Sequence, residues 1–136
     1  MLLTTAAVVL VAPTAASANP VDICISQPVP SGWVVISIQT GWACGGGTYN
    51  EQTIKIPGPS ENVCASSPNP PGYVVVAIQN HWACGGGAYN QRTIKIPGSV
   101  EYVCASSPIP PGYYIVSSHT HWVCGGGSFN QYKISR

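Results

Sequence analysis

Charge is what this sequence has least of. Five basic and four acidic residues among 136 leave a formal net charge of +1, and no stretch gathers Lys or Arg into a stripe. Neutralising a phosphate backbone takes clustered cations, so nucleic acid is not expected as a partner. So little charge also gives weak electrostatic protection against self-association. Catalytic groups are scarce too. Hydrolysis by paired carboxylates needs two placed acids, and beyond the first 18 residues the chain has Asp22, Glu51, Glu61 and Glu101. Asp22 is expected in an N-terminal tail and the others in loops or at strand starts. No G-x-S-x-G occurs, and His81, His119 and His121 have no evident acidic partner. The glycine triplets are not followed by Gly-Lys-[Ser/Thr], which excludes a phosphate loop. No window has an apolar period near 3.6, and no N-x-[Ser/Thr] acceptor is present. The expectation is a non-enzymatic protein without cofactor or metal.

What the chain does have is repetition. Cys24, Cys44, Cys64, Cys84, Cys104 and Cys124 are evenly spaced, 20 residues apart. They sit in three copies of C-x-S-x-P-x-P-x-G-[WY], each followed by W-x-C-G-G-G-x-[YF]-N. The period of about 40 residues divides the chain into repeats near 21–60, 61–100 and 101–136, read as a single domain covering 19–136. Ahead of them, residues 1–18 carry the apolar run Ala6 to Ala12 and end in Ala16-Ser17-Ala18. This reads as a secretory signal peptide cleaved before Asn19, although no Lys or Arg precedes the apolar run. The run falls short of the roughly 20 apolar residues a membrane span needs, so stable insertion is not expected. A retained hydrophobic anchor is the alternative.

Behind a leader, six regular cysteines read as a disulfide framework in an oxidising, extracellular setting. Of 15 possible pairings only a few respect the repeat, and the two simplest are within copies, or from Cys44 to Cys64, Cys84 to Cys104 and Cys124 back to Cys24. The first is favoured, because each copy is nearly complete from its first cysteine to its last strand. Zinc is a weak rival, since no C-x-x-C pair exists.

The β-branched run Tyr73 to Gln79, preceded by Pro70-Pro71-Gly72, reads as a strand. Extended backbone would place Val74, Val76 and Ile78 on one face, continuing through Trp82 and Cys84. The same series recurs as Val34, Ile36, Ile38, Trp42 and Cys44, and as Tyr114, Val116, Trp122 and Cys124. Shorter strands are expected at Thr53 to Ile56 and Thr93 to Ile96, with Lys55 and Lys95 facing water. A third strand is expected at Glu101 to Ser106 and around Val63-Cys64. The class is all-β. Units this small seldom hold a core alone, so they either close into a compact pseudo-threefold body or stack in a row. The closed body is the expectation. In copy number and size it resembles the small threefold lectins of the trefoil and prism types, without their sugar-binding signatures.

The most repeated block supplies the expected sites: Trp42, Tyr49 and Asn50; Trp82, Tyr89 and Asn90; Trp122, Phe129 and Asn130. An aromatic ring can cover the apolar face of a sugar while an amide meets its hydroxyls. A competing structural account packs each tryptophan on its disulfide and uses each asparagine to hold a turn. The proline blocks, Ser26 to Gly32 and equivalents, are rigid connections or displayed loops. His119-x-His121 could form a metal half-site but is not repeated, and surface polar residues are the simpler reading. The function expected is secreted, multivalent binding of a glycan or cell-surface polymer, with self-association possible. A structural or self-assembling protein and a protease-inhibitor-like antagonist are the alternatives.

Overall fold

Strands form where the β-branched runs lie, and proline and glycine separate them. A computed structural model describes residues 20–136; the expected leader lies outside the described residues. In the first repeat β1 (Val21–Cys24) and β2 (Val34–Gln39) flank β3 (Glu51–Lys55). The second has β4 (Ser60–Cys64), β5 (Val74–Gln79) and β6 (Gln91–Lys95), and the third β7 (Val100–Cys104), β8 (Tyr114–His119) and β9 (Gln131–Ser135). Each repeat is an antiparallel three-stranded sheet with its last strand in the middle, ordered β1-β3-β2, β4-β6-β5 and β7-β9-β8. The register repeats: Cys24 faces Glu51, Cys64 faces Gln91 and Cys104 faces Gln131. A turn with positive-φ glycine, such as Pro70-Pro71-Gly72-Tyr73 closed by Tyr73 N–H to Pro70 O at 3.2 Å, starts the second strand of each unit.

The disulfides are Cys24–Cys44, Cys64–Cys84 and Cys104–Cys124. All six cysteines are therefore paired within copies, which rules out both the alternative pairing and a thiolate zinc site.

Two expectations about packing are corrected. The first concerns strand faces. Val34 and Val35 are both buried, as are Val74 and Val75, so simple alternation fails. Val35 and Ile54 pack against Cys64 and Cys84 of the following repeat, while Val34 joins a cluster with Val63 and Val75. A strand covered on both sides reads as a continuous apolar run. A register shift follows Val35, and again Val75 and Ile115. β2 then stops at Gln39, and Trp42–Cys44 forms a 3₁₀ turn. The supposed face never reaches Trp42.

The second correction is to the arrangement: the repeats lie in an open row, not a closed threefold body. β2 packs on β4 and on the turn Trp82–Cys84, and β5 packs on β7 and on Trp122–Cys124. The third repeat's β8 is open, with Tyr114, Ile115 and Val116 at 61%, 51% and 50% exposure, against 0% and 1% for Val34 and Val35. Each junction joins two different faces, and such a heterologous contact closes only when its rotation closes. The core therefore lies at the junctions, where Cys64–Cys84 and Cys104–Cys124 are buried, while Cys24–Cys44 at the end of the row is half-buried.

Polar links secure each junction. The Val35 N–H donates to Ser67 Oγ and the Val75 N–H to Ser107 Oγ, both at 2.9 Å and buried. The Tyr73 hydroxyl donates to Gly58 O and that of Tyr113 to Gly98 O, both at 2.8 Å. Burial, and after it the Glu61 carboxylate, raises the Tyr73 phenol above its ordinary pKa, which keeps it a donor. The lysines expected to face water bridge repeats instead: Lys55 meets Glu61 at 2.6 Å and Lys95 meets Glu101 at 2.7 Å. At these positions the outer repeats differ. The first has Val21, Gln27 and Trp33 where the others have Glu, Ser and Tyr, and the third has Ser135 where the others have Lys.

Candidate functional site

The conserved-length loop between the 3₁₀ turn and the middle strand is built around its asparagine. Asn50 Oδ1 accepts from Gly41 N at 2.7 Å, and its Nδ2 donates to Gly41 O at 3.0 Å and Gly45 O at 2.9 Å. Asn90 makes the same three bonds to His81 and Gly85, and Asn130 to His121 and Gly125. An amide has only two N–H donors, and both are used. Asn50, Asn90 and Asn130 therefore hold the loop, as the structural account anticipated, and have little left to offer a ligand.

The preceding aromatics are forced into an uncommon backbone state. Tyr49, Tyr89 and Phe129 have φ of 52°, 53° and 51°, a left-handed conformation that aromatic residues rarely adopt. A side chain at the end of the second strand fixes it. The Tyr49 N–H donates to Thr40 Oγ1 at 3.1 Å and the Phe129 N–H to Thr120 Oγ1 at 2.8 Å. Asn80 Oδ1 accepts from Tyr89 N in the same place.

The tryptophans do not pack on their disulfides. Trp42, Trp82 and Trp122 are 94%, 86% and 83% exposed. In the second and third repeats a histidine ring lies beside the indole. His81 Nδ1 accepts from Ala83 N and His121 Nδ1 from Val123 N, both at 3.1 Å. Their rings lie against Trp82 and Trp122 at centroid distances of 5.4 and 5.5 Å. The first repeat has Gly41 there, and the Glu51 side chain fills the space a Cβ would take. His119 is engaged separately, its Nε2 lying 2.8 Å from Ser117 Oγ. Among the described residues no three His, Cys, Asp or Glu gather as metal ligands.

The aromatics meet across junctions rather than within one block. A groove of about 400 Å³ is lined by Ser37, Ile38, Gln39, Thr40 and Tyr49 of the first repeat and by Trp82 and Ala83 of the second. The Tyr49 ring settles over Gly85 of the neighbouring repeat, where a Cβ would lie in ordinary van der Waals contact with it at 3.4 Å. At Gly125 a Cβ would meet the Tyr89 ring at 3.3 Å, so the second junction repeats the arrangement. Tyr49 thus belongs with Trp82 and Tyr89 with Trp122. Trp42 and Phe129, the latter 66% exposed, are left at opposite ends of the row.

Two further features were not visible in the sequence. Asp22 lies in β1, not in a tail, and accepts from Thr53 Oγ1 at 2.6 Å. Gln39 Nε2 donates to Thr53 Oγ1 and to Glu51 Oε1, so residues 31 positions apart share one polar network on the sheet. Also, the proline segments of the second and third repeats enclose an apolar slot of about 230 Å³ beside Tyr73 and Ile109. Pairing signals for either would have required the strand order, which no local pattern encodes. Among the described residues no helix is long and apolar enough to cross a membrane. No protein-family model, curated protein or solved structure matches the chain.

Proposed function

We propose that this chain is a secreted, non-enzymatic binding protein that holds an extended, largely uncharged polymer, foremost a glycan, along its row of tryptophans. The observation that carries this reading is the exposure of the same large aromatic in three consecutive repeats. Leaving an indole in water forfeits roughly 1.5–3 kcal/mol available from burial of a large apolar side chain. Repeated exposure of that kind marks an interaction surface. Its neighbours suit a sugar: a tyrosine ring, strand-end Gln39 and Thr40, and no ionised side chain in the groove lining. On this reading the groove between Tyr49 and Trp82, and its counterpart where the Tyr89 ring lies over Gly125 toward Trp122, take the place of the three within-loop sites expected from the sequence. At fixed separation, two weak sites on a repeating polymer gain from effective concentration. The paired cysteines accord with an oxidising compartment.

The test is retention of the oxidised protein on insoluble polysaccharides, with competition by soluble oligosaccharide. Trp82→Ala is expected to weaken retention more than Trp42→Ala, because Trp82 completes a cleft and Trp42 does not. Absence of retention on every polysaccharide, or retention indifferent to Trp82→Ala and Trp122→Ala together, would overturn the reading.

A further inference from the structure

We infer that the open face of the third repeat receives the first repeat of a second copy of this chain, in a weak head-to-tail contact that extends the row. This does not depend on the glycan reading. The molecule itself shows what covers this face. On the first repeat it is covered by β4 and the turn Trp82–Cys84, and on the second by β7 and the turn Trp122–Cys124. On the third, Tyr114, Ile115 and Val116 are left half or more exposed. At the other end no described residue covers the complementary face, where β1 carries Val21 at 45% exposure, and Ile23 and the Cys24–Cys44 bridge are only half-buried.

The end faces are not built as caps. A terminal repeat that must stay in water needs a polar outer face, and an edge strand that must not pair is blunted by lysine, proline or inward charge. β8 reads Tyr-Ile-Val-Ser-Ser-His, with none of these. The charged pair of the internal junctions is missing as a pair: Val21 stands where Glu61 and Glu101 stand, and Ser135 where Lys55 and Lys95 stand. Docking therefore strands neither a lone carboxylate nor a lone ammonium. The serine link is missing as well, with Gln27 in place of Ser67 and Ser107. An apolar contact without these polar links is reversible, unlike the covalently linked internal junctions. It would also set Trp42 of the second copy beside Phe129, as Trp82 sits beside Tyr49.

The experiment is sedimentation velocity of the oxidised protein over a wide concentration range, beside a variant combining Val21→Glu, Gln27→Ser and Ser135→Lys. Each change copies a residue already present at the same place in an internal repeat, so folding is not at risk. The wild type is expected to show concentration-dependent growth without a fixed stoichiometry, since a heterologous contact that does not close keeps adding copies. The combined variant is expected to associate roughly tenfold more tightly, which corresponds to about 1.4 kcal/mol. Ile115→Lys is expected to abolish association in either background, with an unchanged circular dichroism spectrum showing that it folds. A dimer that saturates at two copies and ignores Gln27→Ser would mean β8 pairs with itself, and would overturn the inference. So would a combined variant that stays monomeric at every concentration.

Discussion

Val75 in β5 and Ile115 in β8 hold the same place in successive repeats, yet Val75 is fully buried and Ile115 is 51% exposed. Their own sheets are alike in strand order and register. The difference comes from the next repeat, whose β7 packs on β5 and which has no counterpart over β8 among the described residues. In this protein, then, a repeat supplies the sheet, and its neighbour supplies the burial. Stability is held in the junctions, as expected of an array whose terms are nearest-neighbour.

That comparison can be broken most strongly at the bridges. Cys64→Ser with Cys84→Ser is expected to cost about 3–5 kcal/mol, toward the upper part of the range for native disulfides, because it also leaves hydroxyls in a junction core. The same pair of changes at Cys24 and Cys44 should cost about 2–3 kcal/mol; denaturant unfolding of both variants measures the gap. Next comes core volume. Ile94→Ala, at a fully buried site, should cost about 2–4 kcal/mol, whereas Ile115→Ala should stay within about 0.5 kcal/mol in dilute solution. Ser107→Ala removes the acceptor for the buried Val75 N–H and should cost about 1–2 kcal/mol. Gln27→Ala, its counterpart at the open end, should cost no more than about 0.5 kcal/mol. The smallest effect belongs to the ion pairs. Lys95→Ala should change stability by under about 1 kcal/mol, and the difference from wild type should shrink at high salt.

Much of the fold could be read from the residues. Val, Ile and Tyr runs bounded by Pro-Pro-Gly and Gly-Gly-Gly place the strands, and the near-completeness of each copy from its first cysteine to its last strand points to bridges within copies. The row was not legible, because what separates a closed body from an open one is the rotation between neighbours, and no residue type reports it directly. One signal was nevertheless present. The first copy departs from the others at Val21, Gln27 and Trp33, the three positions whose counterparts reach back to the preceding repeat. The first copy also departs from both others at Ile23, Ile25, Ser31, Ile36, Gly41 and Glu51, so the three positions stand out only once the junctions are seen.

For the candidate site, the residue types could be read from the sequence and their spatial arrangement could not. The competing account, with tryptophans on the disulfides, needs the strand carried past Gln39, whereas the 3₁₀ turn redirects them outward. Pairing Trp42 with Tyr49 followed sequence proximity. The fold instead pairs residues 33 positions apart, since Tyr49 leans over Gly85 toward Trp82.

The half-buried position of Cys24–Cys44 gives the molecule a chemical polarity. Exchange requires a thiolate to reach a sulfur directly. A reductant meets that bridge at the surface, but must wait for a junction to part before it meets either of the others. The lifetimes of Cys64–Cys84 and Cys104–Cys124 in mild reductant therefore time the opening of the row itself, not the reactivity of sulfur. Alkylation and mass spectrometry under limiting reductant should label Cys24 and Cys44 first, and equal labelling of all six would mean that the junctions breathe freely.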